Sequence, residues 1–219
     1  WYVAGYIGYK EYEAEKYKPY TGQKMNVPLA ANAILESVNY WDKAYELSQI
    51  PTYDKKGKAK YDTRTPKNIL PKLKEYFDSQ VLLAAANEVA ASDPSLAYEL
   101  TMCHIKMPKL PIVVSGDEQL VCDTTYYVFM CQAGIYAYQA ERYDEAIAAL
   151  NMLNAEKDQV NAQRSVLIYA NQYLYQIYVE QKDTTNAIAT LKACIEEYPE
   201  DPWFTQNLIN LYISSGDNE

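Results

Sequence analysis

Apolar residues recur at every third or fourth position along most of this chain, which is the spacing of an amphipathic α-helix. The pattern is clearest over residues 166–178 and 187–198, two stripes that are separated by the polar break Lys182-Asp183-Thr184. Pro199 ends the second stripe, because proline cannot continue an α-helix. Two helices joined by so short a break must pack antiparallel, so this segment predicts a helical hairpin.

The preceding segment repeats this design. One apolar stripe covers residues 127–139, and Asp144-Glu145 then places two acids in the first turn of the next helix, where the helix dipole favours negative charge. Superposing Ala146 on Ala187 aligns the two hairpins at an offset of 41 residues. An internal period of this length indicates a repeat protein that is built from stacked hairpins.

Five such repeats are predicted, and together they form one domain over residues 1–219. Their approximate ranges are 1–50, 67–110, 122–155, 163–199 and 202–219, with insertions near 17–27, 51–66, 107–121 and 155–163. In the second repeat, helices are expected over residues 67–91 and 94–106. The first repeat opens inside a helix at Trp1, and the last one stops after the break Ser215-Gly216-Asp217. On this pattern both end repeats are incomplete, so we expect the natural protein to continue past Glu219.

These repeats resemble the tetratricopeptide-repeat (TPR) family, whose unit is a hairpin of about 34 residues with the opening pattern W-x2-L-G-x2-Y. Trp1, Ala4 and Gly5 match that opening, while Ala187 and Pro199 match the second helix and its end. The resemblance implies an all-α fold in which antiparallel hairpins form a right-handed α-α superhelix. As a whole, the chain is similar to TPR proteins of Bacteroidetes-type bacteria.

Small residues have a defined place in such hairpins. A small side chain at each crossing lets the ridges of one helix enter the grooves of its partner. We predict that Gly134, Ala146 and Ala187 lie at these crossings.

Composition narrows the classes of partner. The chain has a formal net charge of −9 and a pI of about 4.8, so neither nucleic acid nor an anionic membrane is expected to be its main partner. No apolar run approaches the roughly 20 residues that span a bilayer. The 23 tyrosines suit half-buried packing and binding surfaces alike, because tyrosine joins a large apolar ring to a polar hydroxyl.

Candidate catalytic groups are few. His104 is the only histidine, so any nucleophile–base pair that uses histidine would depend on it, and we interpret it as a packing or helix-end residue. The cysteines lack the C-x-x-C spacing of zinc and redox sites and are interpreted as free, buried apolar residues. They are Cys103, Cys122, Cys131 and Cys194.

Two charged segments are interpreted as solvent-exposed loops. Asp117-Glu118 favours a solvated loop over a metal site. The cluster Lys55, Lys56, Lys58 and Lys60 favours a solvated linker, with docking to an acidic partner as the alternative. The sequence therefore predicts a protein that is not an enzyme and that binds neither a cofactor nor a metal.

A binding surface remains as the expected basis of function. In a TPR-like solenoid, the first helix of each hairpin lines a concave groove. The residues predicted to line it are Tyr2, Tyr6, Tyr9, Cys131, Ile135, Tyr138, Tyr169, Gln172, Gln176, Glu180, Trp203, Gln206 and Asn210. Aromatic and amide side chains of this kind suit extended peptides.

The leading hypothesis is a non-catalytic scaffold that binds a protein or an extended peptide in this groove. Two alternatives stay open: the aromatic residues form only the core between repeats, or exposed Trp and Tyr side chains bind glycans in a cell-envelope accessory protein. The resemblance leans toward the bacterial cell envelope or periplasm over the cytoplasm. The exposure of Tyr2, Tyr6, Tyr138, Tyr169 and Trp203 distinguishes these hypotheses.

Overall fold

In the computed structural model, which describes residues 1–116, 120–160 and 163–215, helices form nearly all of the regular structure. The chain divides into an N-terminal unit, Trp1–Asp123, and a C-terminal unit, Thr124–Glu219. Within the described ranges, no helix is both long and apolar enough to cross a bilayer. The predominance of helices confirms the all-α prediction. The Asp117-Glu118 loop and the Gly216-Asp217 break both lie outside the described residues.

The N-terminal unit is organised around its longest helix, α2. Its helices are α1 (Tyr2–Tyr17), α2 (Val27–Ser48), α3 (Arg64–Ser79), α4 (Val81–Val89), α5 (Pro94–Lys106) and α6 (Pro111–Val114), with 3-10 turns at Lys18–Thr21 and Met107–Lys109. Helix α1 packs along α2, while α3, α4 and α5 pack on other parts of α2. The predicted hairpin of the first repeat is therefore present.

Side-chain caps fix where several helices begin. Asn26 precedes α2 and accepts a hydrogen bond from the Leu29 amide at 3.1 Å. Asp93 precedes α5 and accepts one from the Leu96 amide at 2.9 Å. In each case proline also occupies the first turn, where its missing N–H costs nothing because that group has no partner inside the helix.

Glycines allow α1 to approach α2 closely. A Cβ atom added to Gly8 would lie 2.5 Å from Oγ of Ser37 and 2.8 Å from the carbonyl oxygen of Ala33. One added to Gly5 would overlap the indole ring of Trp41, which is completely buried. Larger residues at either position would push α1 away from the core.

The helix predicted over 67–91 is in fact two helices, α3 and α4. Gln80 separates them with φ at +53°, in the left-handed region, and Ser79 Oγ donates to the Tyr76 carbonyl at 2.8 Å. Competition of a serine hydroxyl for backbone groups favours a helix end. The apolar periodicity continues across this break, and for that reason the sequence pattern predicts a single helix over residues 67–91.

The insertion at 51–66 contains a short hairpin. Strand β1 (Thr52–Tyr53) pairs antiparallel with β2 (Ala59–Lys60), and Asp54 Oδ1 accepts hydrogen bonds from the Lys56 and Lys58 amides at 2.8 and 3.0 Å. All four lysines of the 55–60 cluster are exposed, as the interpretation of a solvated linker requires.

The C-terminal unit consists of consecutive packed helices. They are α7 (Thr124–Gln139), α8 (Tyr143–Ala155), α9 (Lys157–Val160), α10 (Arg164–Glu180), α11 (Thr184–Glu197) and α12 (Pro202–Ser215). Helix α7 pairs with α8 and α10 pairs with α11, as the two predicted hairpins require. Helix α10 also packs against α7 and α8, and α12 packs against α11.

Gly134 lies at the crossing of α7 and α8, where it was predicted. A Cβ atom at this position would lie 2.5 Å from both Cγ and Cδ2 of Leu150 and 3.4 Å from the carbonyl oxygen of Ala146. Ala146 and Ala187 are also completely buried. Small residues thus set the close approach of these helices.

The cysteines are consistent with an apolar packing role. No disulfide joins any two of the four, all of which are among the described residues. Cys103, Cys131 and Cys194 are buried, and burial raises the pKa of each thiol to about 12. Cys122 is half-buried.

His104 packs in the core of the N-terminal unit. It is 3% exposed, its ring stacks on Phe77 with centroids 4.3 Å apart, and its Nδ1 has no hydrogen-bond partner among the described residues. Burial lowers the pKa of His104 to about 4, an effect that the charge of Asp123 partly opposes. The imidazole is therefore neutral in the folded protein at physiological pH.

We expect Gly134→Leu to destabilise the protein, because the new side chain must displace Leu150. Overpacking of this kind costs about 1–3 kcal/mol, and the higher helix propensity of leucine offsets about 1 kcal/mol of that. Urea unfolding followed by circular dichroism measures the change. Val128→Leu, at an exposed position of the same helix, is the control and should leave the midpoint unchanged. A midpoint that rises in Gly134→Leu, as the higher helix propensity of leucine would produce at an uncrowded position, would contradict the crossing.

His104 should make stability depend on pH. The pKa of His104 in the folded protein, about 4, lies below the unfolded value of about 6.5. The contribution of His104 to the free energy of unfolding is therefore fully present above pH 6.5 and is lost as the pH falls from about 6.5 to about 4. This contribution amounts to about 3 kcal/mol. We expect His104→Phe, which keeps a ring against Phe77 but cannot be protonated, to lose less unfolding free energy than the wild type over this range. Equal losses in urea titrations would show that His104 does not contribute.

Candidate binding cleft

An open cleft of about 290 Å³ lies on the C-terminal unit. Helix α7 contributes one lining residue, α10 contributes four and α12 contributes one. The six are Tyr138, Tyr169, Gln172, Tyr173, Gln176 and Trp203. The sequence predicted all of them except Tyr173 as groove residues, so five of the predicted residues meet at one site.

The amphipathicity of α10 explains this arrangement. Its four cleft residues occupy positions i, i+3, i+4 and i+7 and therefore share one face of the helix. The opposite face is apolar and buried, and it consists of Leu167, Ala170, Leu174 and Ile177. Burial of that face leaves the aromatic and amide side chains directed outward.

A pair of asparagines fixes α10 against α8. The side-chain amides of Asn154 and Asn171 exchange two hydrogen bonds, of 3.0 and 3.2 Å, and Asn171 also donates to the Leu167 carbonyl at 2.8 Å. Asn171 is buried. Because an unpaired buried amide is costly, this reciprocal contact specifies how α10 sits on its neighbour and so positions the cleft.

Three tyrosine rings meet at steep angles along the cleft. The rings of Tyr138 and Tyr173 have centroids 5.6 Å apart at an interplanar angle of 75°. Tyr169 and Tyr173 are 5.1 Å apart at 77°. Tyr169 is 49% exposed, although it is a large aromatic residue. Edge-to-face contacts hold these rings in place while part of their surface stays open to a ligand.

A carboxylate lies beside the rings. Glu180 Oε1 accepts hydrogen bonds from the Tyr138 hydroxyl at 2.6 Å and from Gln176 Nε2 at 3.0 Å. These bonds, the Tyr138 bond first, lower the pKa of Glu180, while the same contact raises the pKa of Tyr138. A hydrogen bond with Tyr169 raises the pKa of Tyr173 to about 12. At neutral pH the phenols of Tyr138 and Tyr173 are therefore neutral, and the carboxylate of Glu180 beside the cleft is ionised.

Most of the net negative charge of the chain belongs to the C-terminal unit. Residues 124–219 contain five lysines and arginines against thirteen aspartates and glutamates, a formal net charge of −8 out of −9 for the whole chain. The cleft therefore lies on a strongly acidic unit.

Two predicted groove residues of α7 are buried instead. Cys131 and Ile135 face the protein interior, so the prediction that they line an open groove is corrected. The reason is that α7 packs against both α8 and α10, which leaves less of its surface open than a helix in one hairpin alone. Gln206 and Asn210 are exposed on α12, where Gln206 Nε2 donates to Asn210 Oδ1 at 3.2 Å.

The predicted tyrosines of α1 form a separate cluster in the N-terminal unit. Tyr2, Tyr6 and Tyr9 are half-buried and stack in sequence, with neighbouring centroids 6.3 and 6.0 Å apart. The Tyr9 hydroxyl donates to Glu75 at 3.1 Å, and Glu75 also pairs with Lys16 at 2.7 Å. Tyr9 therefore joins α1 to α3, and the ring of Tyr6 lies under Lys72 of α3, while Tyr2 stacks on Tyr6.

Sequence reasoning missed two open clefts in the N-terminal unit. They have volumes of about 340 and 380 Å³ and share Tyr61 and Asp62, with Trp1 and Tyr2 lining the larger one. Both depend on the insertion at 51–66, which was interpreted as a linker. Tyr61, an aromatic residue within that polar segment that lines both clefts, was the available signal.

The described ranges contain no group of three His, Cys, Asp or Glu side chains that could hold a metal ion. No family model, curated protein or solved structure matches the chain. Its function is therefore inferred from its own residues, and the cleft on α10 is the site where predicted and observed features coincide.

Tyr138→Phe tests the polar end of this cleft. Removal of the hydroxyl should raise the pKa of Glu180, because the hydrogen bond that stabilises the carboxylate most is lost. The titration of the Glu180 side-chain carboxyl, followed by ¹³C NMR, measures the shift. The control is Tyr178→Phe, which lies on α10 together with Glu180 and should leave the pKa of Glu180 unchanged. A Glu180 titration that is identical in wild type and Tyr138→Phe would contradict the assigned hydrogen bond.

Proposed function

We propose that this chain is a non-catalytic, TPR-like interaction scaffold whose C-terminal unit binds an extended peptide or a protein segment in the cleft on α10. In this proposal the hairpins follow the right-handed α-α superhelix of the family that the sequence resembles. The observation that carries the proposal is the meeting of Tyr138, Tyr169, Gln172, Gln176 and Trp203 at one open site.

The chemistry of the lining supports a peptide ligand. Rings that are held by edge-to-face contacts offer contact area at a low cost in conformational entropy, as binding surfaces rich in tyrosine do. Gln172 and Gln176 each offer an amide that can both donate to and accept from a peptide backbone. An extended chain exposes such backbone groups along its length, whereas a compact apolar ligand does not.

Nothing in this proposal requires catalysis. The only histidine is buried against Phe77 in the N-terminal unit and lines neither of the two clefts described there. Burial also raises the pKa of three of the cysteine thiols, which makes them poor nucleophiles at neutral pH.

Carbohydrate binding is a second candidate function, and a different cleft favours it. Trp1 is 58% exposed and lines the larger cleft of the N-terminal unit together with Tyr2, Tyr61 and Asp62. An exposed indole beside a carboxylate can stack on a sugar ring and accept hydrogen bonds from its hydroxyls.

Selection from a displayed library of random peptides against the full chain tests the main proposal. We expect binders whose affinity falls about tenfold or more in Tyr169→Ala, since aromatic anchors dominate binding energies. Tyr20→Ala, which removes a tyrosine that is 81% exposed in the N-terminal unit, should have no effect.

A glycan array probed with the same proteins separates the second candidate. Binding to glycans that Trp1→Ala abolishes and Tyr169→Ala preserves, together with a failure to select peptides, would replace the proposed function with carbohydrate recognition. Selected peptides that bind Tyr169→Ala as tightly as the wild type would contradict the assignment of the cleft.

A further inference from the structure

We propose that the cleft on α10 recognises a positively charged side chain, an arginine or a lysine of the bound peptide, between its tyrosine rings and the carboxylate of Glu180. This inference rests on the proposed function and names the chemistry of the ligand. Three observations carry it: the ring geometry, the position of the carboxylate and the distribution of charge.

The rings form a suitable enclosure for a cation. A cation is attracted to the face of an aromatic ring within about 6 Å of its centroid. Because Tyr173 meets both Tyr138 and Tyr169 at angles above 70°, the three rings bound the cleft on more than one side. Trp203, which has the strongest cation-binding ring of any side chain, lines the same space.

Glu180 supplies the counter-charge. Tyr138 and Gln176 donate to the same oxygen, Oε1, and Tyr143 also interacts with this carboxylate, while an ionised carboxylate offers about four acceptor positions. Glu180 is exposed, so a guanidinium or ammonium group that enters the cleft can pair with it. A charge-assisted pair of this kind is stronger than a neutral hydrogen bond.

The N-terminal unit already uses tyrosine faces in this way. Lys72 Nζ lies 5.1 Å from the ring centroid of Tyr9 and 5.8 Å from that of Tyr6, and Lys10 Nζ lies 5.4 and 5.9 Å from Tyr6 and Tyr9. Those two rings therefore hold lysines of the chain itself.

The tyrosine rings of the cleft in the C-terminal unit differ from those of Tyr6 and Tyr9. Within the part of the chain that the structure describes, no lysine or arginine lies over the rings of Tyr138, Tyr169 or Tyr173. In this proposal the partner supplies the cation that such rings attract. A unit of net charge −8 also attracts a basic segment over a distance and repels an acidic one.

The test uses two pentapeptides that differ in one group, acetyl-Gly-Gly-Arg-Gly-Gly-amide and the same peptide with citrulline, which has the shape of arginine but no charge. Titrations of the full chain are followed by NMR at the Trp203 indole N–H and the side-chain amides of Gln172 and Gln176. We expect the arginine peptide to bind about tenfold more tightly than the citrulline peptide and to weaken as salt is raised.

Glu180→Gln and Glu196→Gln form a matched pair, since each removes one negative charge from an exposed glutamate of this unit. Glu180→Gln should weaken binding of the arginine peptide about fivefold or more and leave binding of the citrulline peptide unchanged. Glu196→Gln, on α11, should change the affinity for neither peptide.

Equal affinity for arginine and citrulline peptides, or equal losses in the two glutamine variants, would overturn the cation inference. If library-selected peptides bind at the cleft without any preference for a basic residue, the inference is wrong and the proposed function stands. If neither the arginine peptide nor any selected peptide shifts the cleft signals, both are wrong.

Discussion

The close approach of paired helices is the constraint on which the rest of this structure depends. Gly134 has no side chain, so Leu150 of the neighbouring helix can fill the space where a Cβ atom would lie. Gly5 and Gly8 do the same for Trp41 and Ser37 in the other unit. With the hairpins closed in this way, the apolar stripes of α7, α8, α10 and α11 are buried, and the polar and aromatic residues of the remaining faces become available for contact with other molecules.

The binding cleft is a consequence of this packing. Helix α10 is held on one side by its apolar stripe and by the paired amides of Asn154 and Asn171. Its open face therefore presents tyrosines and glutamines in fixed positions, and the carboxylate of Glu180 is placed beside them by hydrogen bonds. A rigid aromatic surface with one counter-charge, on a strongly acidic unit, is suited to a basic peptide segment.

Much of this was predictable from sequence, because hairpins depend on local patterns. The helix pairs and the crossing at Gly134 follow from apolar spacing and from the breaks between stripes, while five of the six cleft residues were expected from the resemblance to the TPR family. The predictions that were wrong concern residues whose burial is determined by contacts between helices that are not neighbours in sequence. Cys131 and Ile135 were expected in the groove but are buried where α7 packs against α8 and α10, a contact that no local period encodes. The helix break at Gln80 was missed because the apolar spacing continues through it.

A crystal structure of the full chain bound to a library-selected peptide would test the central claim most directly. The account predicts that the peptide lies against Tyr169 and Trp203 in an extended conformation, with a basic side chain next to the carboxylate of Glu180. A peptide that is seated elsewhere on the molecule, with the face of α10 still exposed to solvent, would contradict it.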